Sequence, residues 1–325
     1  MMNLTKLIFF LMLMFSTLFS ISTNSWINCW MGMELNLFSF ITLIFNQNLF
    51  NLESTIKYFI IQAITSMFML VSIMLYTQNM FEFNLMLLNL SLFMKLNSSP
   101  FHYWGVNLIQ GLTWQNLTIF LTWQKIIPLI LIFYNFNMMM MIIFIIMNSL
   151  FGSIEGLNQT NLKKIILFSS INHMSWMLMI FFLNENLWLG YFMIYSMILM
   201  IIIIYNYMLN NIKITQLYSI KMNTLNNFFM MMNLLSLGGL PPFLGFIPKW
   251  ITINLMVMNN FYFLSFMMVM CSLLTLFFYL RLFYSSTFLL SFKIKWIMTM
   301  NLKNFFILNT LSFISMTSLI LSCML

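Results

Sequence analysis

The sequence predicts an all-α polytopic membrane protein of about eleven transmembrane helices: two inverted five-helix repeats with discontinuous helices 4 and 9, plus one C-terminal helix. Three observations carry that fold class. Hydrophobic residues make up 62% of the 325 and charged residues 6%, so a soluble fold would have to hide more apolar surface than its interior can hold. Apolar runs near the 20 or so residues a membrane helix needs recur along the whole chain. Two of those runs are too long for one straight helix and are interrupted by Pro and Gly, which remove a backbone donor or weaken the helix.

In chain order the runs cover about 5–22, 26–46, 55–76, 83–112, 116–135, 138–156, 162–183, 187–209, 226–259, 261–284 and 304–324. The first, with its apolar stretch at 7–21, lacks an Ala-x-Ala cleavage site and reads as a span, not a removable leader. The fourth is broken at Asn97-Ser98-Ser99-Pro100, directly after Lys95. The fifth carries Lys125 near its centre, with Pro128 following. The ninth is broken at Gly238-Gly239-Leu240-Pro241-Pro242, with Gly245, Pro248 and Lys249 beyond. Irregular backbone at membrane depth survives only where protein or water satisfies it, and paired broken helices mark transport sites in inverted-repeat folds. The breaks are five segments apart, which places repeat one at about 1–136, repeat two at about 137–285 and the extra helix at about 304–325 of a single membrane domain. The halves share no residue-level identity; the repeat is inferred from the breaks.

Charge sets the orientation. With the N-terminus and the even-numbered loops on one side, that side holds Lys6, Lys57, Lys163, Lys164, Lys213, Lys221, Lys293, Lys295 and Lys303, with Arg281 nearby. The other side holds no basic residue, only Glu82 and Glu185. This is a positive-inside pattern, so the +8 net charge reports topology and no nucleic-acid partner. The 37 methionines are the bias of an A/T-rich gene read with AUA as methionine, which points to a mitochondrial gene. Cys29, Cys271 and Cys323 have no CxxC spacing and read as small packing residues, with no disulfide or metal framework.

Topology leaves Lys95, Lys125 and Lys249 unassigned. A lysine at mid-helix costs about 2.5–3.5 kcal/mol on insertion scales, so it usually marks an ion path or a paired group. Lys125 is too far from either helix end to snorkel. Lys95 and Lys249 flank the breaks and read either as titrating groups or as structural cations capping a half-helix C-terminus. Glu34, roughly 12 Å along its helix at 1.5 Å per residue, reads as an interfacial carboxyl or as the partner of an intramembrane lysine, expected within direct or single-water contact of Lys95. His102 and His173 are secondary candidates, suited to relaying protons or to hydrogen-bonded packing. With no phosphate loop, metal cluster or nucleophilic triad, the chain alone is expected to do no bond chemistry.

The stretches MKLNSSPFHYW with IQG after it, LTWQKIIP, EGLNQTNLKKIILFSSINHMSWM and LSLGGLPPFLGFIPKW together resemble the NADH dehydrogenase subunit 2 family, the mitochondrially encoded antiporter-like subunits of respiratory complex I. The resemblance implies a proton-pumping membrane-arm subunit of the mitochondrial inner membrane, N-terminus in the matrix and C-terminus in the intermembrane space. By position, Glu34 matches the family's carboxylate on the second helix, Lys95 its partner, Lys125 the central lysine, and Lys249 the lysine toward the next antiporter-like subunit. It implies no cofactor in this chain, the FMN, iron-sulfur clusters, NADH and ubiquinone belonging to the whole complex. Implied partners are other membrane-arm subunits, with lipids such as cardiolipin. The chain departs from the family in having Val106 and Asn107 where Pro-Glu is usual, Asn97 and Ser99 for Gly and Ala, and Glu155 for Gly. A freestanding cation/proton antiporter is the alternative, since broken helices and Lys-Glu pairs serve either; a purely structural scaffold leaves the buried charges unexplained.

Overall fold

A computed structural model of the chain describes residues 4–46, 48–76, 81–135, 137–209, 213–221, 224–288, 296–297, 308–313 and 315–316. Lys293, Lys295, Lys303, Cys323 and most of the expected 304–324 helix lie outside the described residues, as do the side chains of Glu82 and Lys221. The helices are α1 (Leu4–Ser22), α2 (Trp26–Ile44), α3 (Leu49–Tyr76), α4 (Phe81–Lys95), α5 (Tyr103–Leu108), α6 (Trp114–Leu121), α7 (Ile126–Tyr134), α8 (Met138–Leu157), α9 (Leu162–Leu183), α10 (Leu187–Leu209), α11 (Ile214–Ser219), α12 (Thr224–Gly238), α13 (Phe246–Met258) and α14 (Tyr262–Phe288). A two-residue parallel pairing joins Ile220–Lys221 to Trp296–Ile297. Among the described residues, eight stretches are helical, long and apolar enough to cross a membrane. Two compact units divide the chain, Met1–Phe144 and Ile145–Leu325.

In unit 1, α3 begins earlier than the apolar run suggests, because its first turns are helical but polar in sequence, with Asn51, Ser54 and Thr55 buried. The carbonyl of Asn48 accepts from Asn51 and Leu52, and Glu53 pairs with Lys57 at 2.5 Å one turn on, an exposed i,i+4 pair of the kind that supports a solvated helix end. The expected fourth helix is α4 and α5, separated by residues 96–102. The expected fifth is also interrupted, which the hydrophobic pattern does not show: a 3₁₀ turn at Trp123–Lys125 stands between α6 and α7. Pro128 explains it. Proline has no N–H and its ring crowds the carbonyl four residues back; starting a new helix at Ile126 puts Pro128 in a first turn, where no N–H is needed.

In unit 2, an 18-residue window of α9 is 94% buried, leaving no lipid face. It packs on α10, α13 and α14. The ninth expected helix is α12 and α13, separated by residues 239–245; Gly238 itself still belongs to α12. The freed backbone finds a partner in the C-terminal segment, where the Ser315 carbonyl accepts from Leu244 N–H at 3.1 Å. Residues 308–313 are helical and held by Asn309, which accepts from Tyr205 Oη at 2.6 Å and donates to Asn226 Oδ1 at 2.9 Å. Ser315 Oγ donates to Asn233 Oδ1 on α12 at 2.9 Å.

Candidate functional site

The first break is built by local hydrogen bonding. Asn97 has φ +58°, the left-handed conformation that ends a helix. Asn97 N–H returns to the Met94 carbonyl at 3.1 Å and Ser98 N–H to the Phe93 carbonyl at 3.2 Å, the pair of bonds that defines a Schellman motif. Glycine usually fills such a position; Asn is the next best because its short polar side chain tolerates the conformation. Here that side chain acts as well: Asn97 Oδ1 accepts from Gly105 N–H at 3.2 Å, sharing it with the His102 carbonyl at 3.1 Å, so one residue closes α4 and reaches the first turn of α5. His102, fully buried between them, has Nδ1 3.3 Å from Ser99 Oγ.

Lys95 is the last residue of α4. Its Nζ donates to Met33 Sδ on α2 at 3.4 Å, which brings it alongside the neighbouring Glu34. The two charges interact electrostatically, but of the expected direct or single-water contact the direct form is not made; among the described residues the salt bridge is Lys57–Glu53. Met33 and Glu34 are successive residues, about 100° apart around α2, and the lysine meets the methionine's side. Glu34 Oε1 is buried with no hydrogen-bond partner. The carboxylate also acts electrostatically on Tyr58 of α3, which stands edge-on to Phe40 at 5.1 Å and tilted on Trp104 at 6.3 Å. Sequence reasoning missed Tyr58, since a tyrosine in an apolar run carries no charge signal.

Lys125, 5% exposed, ends the 3₁₀ turn. The residue before it, Gln124, donates from Nε2 to Asn36 Oδ1 at 3.0 Å, tying the turn to α2 within two residues of Glu34. Pro128 was the available signal for this third interruption.

In unit 2, Lys249 is buried in the first turn of α13. Its Nζ donates to the Gly238 carbonyl at 2.8 Å and lies 5.9 Å from the ring centroid of Trp176 on α9, within cation–π reach. The ammonium thus lies at the C-terminus of α12. Gly239 has φ +83°, and a Cβ there would stand 2.9 Å from Lys249 Cδ, so glycine serves both the turn and the lysine's passage. His173 Nδ1 lies 2.8 Å from Tyr191 Oη, with Tyr195 at 5.1 Å between ring centroids. Lys163, read as a loop charge, is buried at the start of α9. Cys29 and Cys271 are buried and free. Among the described residues no group of three His, Cys, Asp or Glu is placed to hold a metal.

Glu34, Lys95 and Lys125 thus belong to unit 1, and Lys249 with His173 to unit 2. Comparisons with known proteins show the family of the chain. A family profile described as NADH:quinone oxidoreductase/Mrp antiporter, TM, matches residues 23–275. NADH-ubiquinone oxidoreductase chain 2 of Anopheles gambiae is 45% identical over 311 residues, covering 91% of this chain and 90% of the relative. The protein of the same name from Aedes aegypti is 43% identical over 330 residues, covering 97% and 96%. Among solved structures, respiratory complex I from Thermus thermophilus with bound aureothin contains a chain matching 98% of this one, and 79% of its own length, with TM-score 0.87 at 16% identity. The Mrp complex of a Dietzia species matches 90% of this chain and 61% of its own with TM-score 0.72 at 15% identity. At such identities these two likenesses concern the fold alone.

Proposed function

Because the chain belongs to the NADH-ubiquinone oxidoreductase chain 2 family, within the NADH:quinone oxidoreductase/Mrp antiporter membrane proteins, we propose that its buried charges form a proton path: Glu34, Lys95, Lys125 and Lys249, with His102 and His173 as secondary members. The chain is a membrane-arm subunit of complex I. Its part is translocation without redox chemistry, driven by electron transfer in other subunits. FMN, iron-sulfur clusters, NADH and ubiquinone are theirs.

The observation that carries the reading is Lys125, a lysine 5% exposed near the middle of the 21-residue span Trp114–Tyr134, at an interruption of its helix. The 3₁₀ turn that Pro128 favours departs from α-helical hydrogen bonding beside an ammonium, an arrangement suited to water and proton exchange. Driving one charge against 100 mV takes about 2.3 kcal/mol, which the chain cannot supply itself.

The same reading takes the two breaks as equivalent points of inverted five-helix repeats, with the C-terminal segment as the eleventh helix. It places the chain in the mitochondrial inner membrane, N-terminus in the matrix and C-terminus in the intermembrane space. Its neighbours are other membrane-arm subunits, antiporter-like ones included, and lipids such as cardiolipin. The Mrp likeness favours a second reading, a freestanding cation/proton antiporter, which is less supported because the relatives matched over nine-tenths of their length are named as chains of the oxidoreductase.

The test is Lys125→Met in the assembled complex, which keeps the stem's volume and removes the titratable group. Assembly and NADH oxidation persist while protons pumped per NADH fall. Full pumping at normal turnover would make Lys125 a tolerated structural charge.

A further inference from the structure

Where α1 turns into α2 and α3 into α4, unit 1 holds two cavities of about 270 and 170 Å³ that share Trp26 and Tyr134 in their walls. The larger is bordered by the polar turn Thr23, Asn24 and Ser25. The smaller is bordered by Ser72, Asn84 and Asn135.

Asn84 is the anomaly. It is 1% exposed, and neither its Oδ1 nor its Nδ2 has a hydrogen-bond partner. Asn135, on the same wall, is tied: its Nδ2 donates to Asn89 Oδ1 at 3.2 Å and to the Leu85 carbonyl at 3.3 Å. Polar contacts between membrane helices account for the Asn135–Asn89 pair. They do not account for an amide left unsatisfied at both ends, which is costly in apolar surroundings. The cavity beside it is polar enough and large enough to hold several waters.

From Asn84 one face of α4 leads inward. Asn84, Leu88, Ser91 and Lys95 fall at positions i, i+4, i+7 and i+11, one stripe of a helix that is polar at its ends and apolar at Leu88, and the first three are buried. At 1.5 Å per residue the stripe runs roughly 16 Å from the cavity wall to the α4 terminus.

We propose that the paired cavities are a water-filled vestibule, and that water at Asn84 opens the Lys95 end of unit 1 to the aqueous phase on the side of the α1–α2 and α3–α4 turns. The ligand is water and the hydrated proton. The vestibule stands on the cavity and the orphaned amide; its role in transport rests on the proton-path reading.

Radiolysis of the intact complex in ¹⁸O-water tests the first part, because hydroxyl radicals formed at a bound water oxidise only the side chains beside it. Leu88, on the cavity wall and 5% exposed, should acquire ¹⁸O, while Leu13, 0% exposed and away from it, stays unmodified. Equal silence of both means a dry or lipid-filled cavity and overturns the vestibule. For the transport role, Asn84→Leu, which fills the wall with apolar volume, should lower protons pumped per NADH as Lys125→Met does, with Asn84→Ser retaining pumping. If Asn84→Leu does not assemble, Ser72→Leu repeats the test from the facing wall. Normal pumping in the leucine variant beside a deficient Lys125→Met overturns the route and leaves the path reading intact; normal pumping in both overturns the path reading itself, and the radiolysis result then judges the vestibule alone.

Discussion

The Lys249 ammonium donates to the carbonyl of Gly238, the last residue of α12, at 2.8 Å. One side chain reaches back from α13 to close the helix on the other side of the break, where the dipole of α12 favours a cation. In the proposed proton path, capping and proton transfer would compete at the same nitrogen: a neutral lysine can still donate, but it no longer complements the dipole.

Substitution separates the two roles of Lys249. Lys249→Met leaves the Gly238 carbonyl unpaired, a loss of about 1–3 kcal/mol, and lowers the yield and melting temperature of the assembled complex. Lys249→Arg keeps a cap but stays protonated at any working pH. The arginine variant is expected to assemble with reduced pumping, measured as protons per NADH in sealed vesicles. Normal pumping by the arginine variant means that Lys249 is a structural cation only.

The two adjacent glycines are expected to differ. At Gly239 an alanine incurs about 1–2 kcal/mol for its left-handed backbone and pushes its Cβ against the Lys249 stem. At Gly238 an added Cβ meets Tyr279 at 3.4 Å, an ordinary contact, and the change should stay within about 1 kcal/mol of the parent. Assembly yields of Gly239→Ala and Gly238→Ala compare them directly; equal yields would deny Gly239 its special place.

At the first break, Asn97→Gly keeps the left-handed turn and loses only the bond to Gly105 N–H, about 1 kcal/mol. Asn97→Ala loses both, adding about 1–2 kcal/mol of backbone strain. Thermal stability should therefore fall in the order Asn, Gly, Ala. Alanine matching glycine would show that the turn does not depend on this residue.

The Glu34–Lys95 relation is open to a double-mutant cycle. If one water joins them, Glu34→Gln and Lys95→Met should couple by about 0.5–3 kcal/mol in assembly stability, with the double variant less impaired than the sum of the singles. Additivity would leave Glu34 associated with Tyr58 instead.

Both predicted breaks lie where Asn97-Ser98-Ser99-Pro100 and the Gly238–Pro242 cluster put them, because such residues act locally and leave the same signature in any environment. The Trp123–Lys125 turn was less legible: a single proline three residues beyond the lysine fits a first turn, a kink or a tolerated interior position alike. The Lys95–Met33 contact was not legible at all. Which of two successive α2 residues meets the lysine depends on the rotation of α2 against α4, a packing property that composition does not record. Tyr191 and Trp176 escaped for the same reason, as apolar-looking residues whose polar edges matter only once a histidine or lysine arrives from another helix. The early start of α3 reflects polar turns, buried at Asn51, Ser54 and Thr55 and exposed at the Glu53–Lys57 pair, which look like loop to a hydropathy ruler.

α9 is enclosed on all sides, and that bears on how freely this gene can vary. A span with one lipid face has a neutral side on which Leu, Ile, Phe and Met exchange at little consequence. α9 has none: Ser169, Ser170 and Ser175 bond back to its own carbonyls, Asn172 donates to Thr275, and its apolar residues fill fitted space. Drift that the outer helices absorb would here leave a cavity or a clash. The mutational tolerance of the chain should accordingly be lowest along a helix that bears only one of its four principal path candidates' neighbours, Trp176, and none of the four themselves.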